Sequence, residues 1–270
     1  MAIQKFSVAA LRKVRKYINN ILAVPESEQQ LTSPLVNDDI EVPEPDSLDA
    51  LGDVFKFGGF DAPEDGEAIP PEGRWLISVV NPAEVLVKLP NLQLVPGYRL
   101  VSYLFRAPGT GFGVMWAVPE AEGTTDQLEA ALMAADGANR PPRPSMALVD
   151  VMAVVEGDRS PSSFLIASIL KREFAEFGAQ GLARDWSHHE LIDNIPARLE
   201  TYWRDDYPRD LTPRIRSSSD GQIVVEFFSC RTKAPVEIVR HIDQYPAHED
   251  ASPPYCCQSD RQVVLSLKSR

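Results

Sequence analysis

The chain has 270 residues, 44% of them hydrophobic and 24% charged, with a formal net charge of -12. That acidity excludes nonspecific nucleic-acid binding, which needs net positive charge on the binding face. No run of about 18 apolar residues is present to span a bilayer, and the N-terminus lacks the apolar stretch and cleavage site of a secretory signal.

The cysteines are Cys230, Cys256 and Cys257, an odd number with two adjacent, which argues against a disulfide framework and for a reducing compartment. The expectation is a soluble cytoplasmic protein without a transmembrane segment, a nucleic-acid partner or a cofactor.

Residues 6–22 predict an amphipathic helix. At 100° per residue Phe6, Leu11, Val14, Tyr17, Ile18 and Leu22 share one arc, and Arg12, Lys13, Arg15 and Lys16 lie opposite. Three readings stand. The helix packs on its own body with a solvated basic face. Alternatively, it docks by laying its apolar face on a partner groove or, less favourably, an anionic membrane surface, with Arg12, Lys13, Arg15 and Lys16 among the partner-binding residues. In the third, the acidic stretch that follows neutralises the basic face until a partner competes for it. Between Pro25 and Glu72 there are fourteen acidic residues and one basic residue, so this stretch carries -13. Like-charge repulsion and scarce apolar surface predict an extended linker there. Within it Phe55, Phe57 and Phe60 form a short aromatic motif that either straps back on the body or engages a partner.

From residue 74 the texture predicts strands, at 75–80, 85–89, 98–106 and 112–118, with a hairpin turn of five residues over 107–111. The glycines of that turn also occur in phosphate-binding loops, but those need a following helix, and an apolar strand follows here. A capping box at Thr124 and Gln127 starts a helix. Residues 146–155 are almost unbroken apolar sequence and predict a central strand. Ser160-Pro161 opens a helix buried through Phe164, Leu165, Ile169, Leu170, Phe174 and Phe177. A second capping pattern at Ser187 and Glu190 predicts a short helix pair, and strands return at 222–230, 236–245 and 262–267.

This order fits the α+β class: an N-terminal amphipathic helix, an acidic linker, then a mainly antiparallel sheet body with two or three packed helices. The expected organisation is a basic helix over 1–24, a linker over 25–72, a strand-rich lobe over 73–155 and a helix-plus-sheet lobe over 156–270, the two lobes able to form one domain. Trp75, Leu100, Val149, Phe164, Leu170, Val225 and Ile238 are the expected core.

Alternation with period two puts Glu237, Val239, His241, Asp243 and Tyr245 on one strand face, and Glu226, Phe228 and Cys230 on one face of the preceding strand. If those faces coincide, His241, Asp243 and Glu226 form an ionisable cluster in which the histidine is a general base. The plainer alternative is a solvated outer sheet face. No zinc spacing, nucleophile elbow, phosphate loop or dinucleotide fingerprint occurs, so no metal site is expected. The leading functional expectation is a non-enzymatic protein-binding, assembly or regulatory factor acting through the body and the tethered helix. The alternative is an enzyme with a small-molecule cleft near His241, Asp243 and Glu226.

Overall fold

The computed structural model describes residues 2–29, 73–89, 91–202, 208–219, 221–247, 253 and 255–267. Phe55, Phe57 and Phe60 therefore lie outside the described residues, as does most of the expected linker. In chain order the elements are β1 (Ala2–Lys5), α1 (Val8–Ile21), α2 (Glu26–Gln29), β2 (Arg74–Ile77), α3 (Glu84–Lys88), β3 (Leu92–Leu94), β4 (Tyr98–Ala107), β5 (Thr110–Pro119) and α4 (Thr125–Met133). They continue with β6 (Val155–Gly157), α5 (Pro161–Ala175), β7 (His189–Ile192), β8 (Arg214–Ser217), β9 (Ile223–Arg231), β10 (Val236–Tyr245) and β11 (Gln258–Leu267).

Two antiparallel sheets carry the body. The larger has strand order β1-β8-β9-β10-β11, with β7 and β8 lying end to end along one side of β9. The smaller is β2-β4-β5. Helix α5 lies between them: Phe164, Leu165, Ile169 and Leu170 share one buried cluster with Leu100, Leu104 and Met115 of the smaller sheet and with Val225 and Phe227 of β9. A helix covered on all sides must be apolar all round, and α5 is buried continuously from Ser163 to Leu170. Its two buried serines are satisfied where they meet tyrosines. Ser168 Oγ lies 2.8 Å from Tyr245 Oη, and Ser163 Oγ 2.8 Å from Tyr255 Oη. Helix α4 covers the far face of the smaller sheet, where Leu128 and Ala131 join Trp75, Tyr103, Phe105 and Trp116.

The N-terminal helix belongs to this body. Val8, Leu11 and Ile18 are buried, and they join the same cluster as α5. Full burial of such side chains stabilises the fold by roughly 1.5–3 kcal/mol each, which outweighs anything the exposed lysines of that helix contribute. The α+β architecture expected from the sequence, with its antiparallel sheets and packed helices, is the one observed.

Local departures have local causes. Residues 84–88 form α3 rather than a strand, because Asn81 Oδ1 accepts from the Ala83 amide and turns the chain into a helical start. The expected central strand at 146–155 is instead a loop and a short 3-10 helix (Val151–Val154), leading into β6. Asp150 caps that helix by accepting from the Met152 amide at 2.9 Å. Val149, expected in the core, is consequently 69% exposed, whereas Trp75, Leu100, Phe164, Leu170, Val225 and Ile238 are buried. The β4–β5 turn uses two residues, Pro108-Gly109, with Gly109 at φ +74. Ser187 to Glu190 does not open a helix. A 3-10 turn (Trp186–His188) gives way to β7, whose amides and carbonyls pair with Phe228 to Arg231 of β9.

Candidate functional site

Strand β10 delivers His241 and Asp243 to the inner face of the larger sheet. The β9–β10 register sets His241 opposite Phe227, Asp243 opposite Val225 and Ile242 opposite Glu226. Directly opposed residues point the same way, so Glu226 lies on the outer face, away from both. The expected three-residue cluster is therefore divided by the sheet. On the outer face Glu226 is fully buried beneath arginines: Arg214 donates to it at 3.1 and 2.7 Å, Arg216 at 2.9 Å and Arg240 at 3.0 Å. Burial works to raise the Glu226 pKa, but the hydrogen bonds and charges of Arg214 and Arg240 carry it below the ordinary carboxylate value.

Asp243 is likewise committed to an ion pair. Both Nη atoms of Arg172 donate to its two oxygens, at 2.7 and 3.0 Å, and Arg172 Nη1 also donates to the Ser168 carbonyl. Burial pushes its pKa up and Arg172 more than reverses that, so the carboxyl stays ionised. No hydrogen bond joins it to His241 among the described residues.

His241 has a different partner. Its Nε2 lies 2.8 Å from Ser229 Oγ, and the same oxygen lies 2.9 Å from His189 Nδ1. Two buried imidazoles, 3% and 2% exposed, thus share one hydroxyl. A hydroxyl has one proton and two lone pairs, so when both rings are neutral in matched tautomers Ser229 donates to one and accepts N–H from the other. Burial lowers the His189 pKa to about 4, with Arg261, Arg231 and Arg15 adding to the effect against the opposing charge of Asp185. Burial, then Arg172, holds His241 well below the ordinary histidine value.

Aromatic packing fixes both rings. Phe227 stacks on His241 with centroids 4.8 Å apart, Trp186 stacks on His189 at 5.7 Å, and the Arg15 guanidinium covers the Trp186 ring at 4.5 Å. The two histidines line a hollow of about 330 Å³ with Arg172, Asp185, Trp186 and Arg261. His189 Nε2 lies 3.7 Å from Asp185 and 3.5 Å from Arg261, both of which also line the hollow. At those distances it keeps a lone pair or a proton to offer a ligand. Asp185 itself pairs with Arg261 at 2.9 Å. Burial raises its pKa and Arg261 pulls it below the usual range.

His189, Ser229, Trp186 and Asp185 were not legible as a site. His189 follows another histidine within an apparent helix start, and Ser229 reads as one more alternating strand residue. Only the strand nature of residues 189–192 would have placed His189 beside β9.

The expected partner-binding residues divide in two. Arg12 donates to the Leu191 carbonyl at 3.2 and 2.7 Å. Arg15 donates to Glu173 Oε1 at 2.6 Å, to the Trp186 carbonyl at 2.8 Å and to the His189 carbonyl. Both arginines are thus engaged by the body itself, because the helix they stand on forms one of its walls. Lys13 and Lys16 are exposed.

Among the described residues no group of three or more His, Cys, Asp or Glu side chains is placed to hold a metal ion, and no helix is long and apolar enough to cross a membrane. Cys230, Cys256 and Cys257 are free thiols. Compared with models of protein families, with curated proteins and with solved structures, the chain matches none.

Proposed function

We propose that this chain binds a small polar ligand in the hollow beside His189 and His241, and that the linked histidines serve as its proton-accepting element. One observation carries the reading: two buried imidazoles share the Ser229 hydroxyl, and both line the same hollow. With its proton on Nδ1, His189 accepts a proton from a ligand group at Nε2. The Nδ1 proton then passes to Ser229 Oγ as the hydroxyl proton passes to His241 Nε2, so the positive charge moves to the second ring. The hollow is at the lower end of the size range for small-molecule sites, and Arg172, Asp185, His189 and Arg261 are among its polar lining. An enzyme using His189 as general base is the form this reading takes if the ligand reacts. His241 then supports the base, and Asp243 orders the floor through Arg172.

The test is a thermal-shift screen of polar metabolites against the full chain and a His189→Gln variant. A ligand that stabilises the native chain and loses its effect in the variant supports the reading. A screen in which every stabilising compound acts equally on both chains removes it.

Partner binding is the second reading, and the exposed Lys13 and Lys16 favour it. They sit three apart on the solvent side of α1, which suits an acidic protein segment. Loss of a captured protein on Lys13→Glu with Lys16→Glu would support it, and unchanged capture would oppose it. Three free thiols suit a reducing compartment, so we place either activity in the cytoplasm.

A further inference from the structure

Arg106, on β4, is 2% exposed, yet no carboxylate holds its guanidinium among the described residues. Nε donates to the Glu28 carbonyl at 2.9 Å, and Nη1 to the carbonyls of Phe105 and Gly178 at 3.0 and 2.9 Å. Nη2 has no hydrogen-bond partner among the described residues. The nearest acid, Glu28, turns its own carboxylate to the Ser78 hydroxyl and the Val79 amide. The Glu28 charge supports Arg106 without bonding to it, and burial still pushes the Arg106 pKa down, so a further negative group in contact would relieve a real cost.

Arg106 borders a cavity of about 360 Å³ between the C-terminal ends of α1 and α5, where Glu173 and Glu176 also stand. Glu176 is occupied, each oxygen accepting from a backbone amide, those of Asp185 and Ser187. Glu173 is half occupied. Arg15 Nε and Trp186 Nε1 both donate to Oε1, each at 2.6 Å, and among the described residues no bond falls on Oε2. Two residues with unmet hydrogen-bonding capacity, Arg106 and Glu173, thus line one cavity, with the unsatisfied Arg106 Nη2 closed off from solvent.

We propose that this cavity binds a small zwitterion of the α-amino-acid class, its carboxylate on Arg106 Nη2 and its ammonium on Glu173 Oε2. A zwitterion satisfies both groups with no change in net charge. A dianion such as phosphate would meet Glu173 and Glu176, and a simple cation would leave Arg106 unanswered. Gln29 and Gln180 stand at the wall, joined by a single exposed bond of 3.4 Å from Gln180 Nε2 to the Gln29 carbonyl. That bond opens to admit the carboxylate. The cavity is separate from the His189 hollow, and the proposal does not rest on that site.

The test is the thermal midpoint of the full chain with each common α-amino acid in turn, and with acetate and ethylammonium as half-ligands. At least one amino acid should raise the midpoint by about 5–10 °C at ~100 times its dissociation constant, and neither half-ligand should match it. The shift should vanish in Arg106→Lys. Because that variant also removes buried bonds, Asn19→Trp provides the second arm: Asn19 is exposed on α1 and lines the cavity, so the indole fills the space without disturbing the core. No shift with any amino acid, an equal shift with acetate, or a shift that survives Asn19→Trp would each overturn the proposal.

Discussion

Arg15 of α1 and Glu173 of α5 meet across 2.6 Å, with side chains 13% and 5% exposed, and this pair fastens the N-terminal helix to the wall of the histidine hollow. The same guanidinium lies over Trp186, which stacks on His189. A residue that sequence reading offers to a partner is thus a structural support for the site.

Replacing Arg15 by Met should therefore cost about 3–5 kcal/mol of unfolding free energy, since it leaves Glu173 buried without its cation. Urea unfolding with unchanged slope would register this as a lower midpoint. Lys13→Ala, on the exposed side, should stay within about 0.5 kcal/mol. In the double variant Arg15→Met, Glu173→Gln the cost should shrink, and strict additivity would show that the two groups do not interact.

Acid should act on the histidines in a defined window. The unfolded His189 takes up a proton near pH 6.5 and the folded one only near 4. Between those values the unfolded state binds more protons, so the stability from neutral His189 is complete above about pH 6.5 and lost as pH falls toward 4. His241 acts in the same direction. The His189 contribution is on the order of 3 kcal/mol. His189→Gln should flatten the pH dependence between 6.5 and 4. A slope unchanged by the substitution would contradict the buried neutral pair.

Glu226 tests the division of the sheet into two faces. Glu226→Gln should lower stability by about 3–5 kcal/mol, because Arg214, Arg216 and Arg240 lose the carboxylate they share and, among the described residues, only Arg214 keeps another, Asp210 at 3.7 Å. Ligand binding in the His189 hollow should be unaffected while the chain is folded. A loss of binding equal to that of His189→Gln would place Glu226 in the site after all.

The β4–β5 hairpin separates two costs of adding one methyl group. At Gly113 a Cβ would collide with the Phe177 ring and lie 2.8 Å from the Phe177 carbonyl oxygen. At Gly109 it meets nothing, but φ is +74. Gly113→Ala should cost about 1–3 kcal/mol through overpacking, and Gly109→Ala about 1 kcal/mol through backbone strain alone. Gly109→Asn should recover part of the latter, whereas no small substitution should rescue Gly113. Thermal midpoints of the four chains check the order.

The elements that were legible in the sequence are those with a sustained period or a local cap. Helix α1 shows its buried arc, α5 its Ser160 cap and proline, and β10 runs over the residues its alternation predicts. The site was only partly legible, for a physical reason. Alternation tells which residues of one strand share a face, but it says nothing of the register with the next strand, and one residue of slip exchanges the faces. Glu226 was therefore grouped with His241, where Phe227 and Ser229 belong. Val149 misled in another way: an apolar run looks continuous until a single side chain, Asp150, caps a turn inside it.

The surroundings of Arg106 bear on the long acidic stretch in a way that concerns chain topology. Its Nε holds the Glu28 carbonyl, just before residue 30, while its backbone pairs in register with Arg74, just after residue 72. The two ends of that stretch thus meet the body at neighbouring points on β4, one through the Arg106 side chain and the other through its backbone, so a single residue sets how far apart α2 and β2 stand.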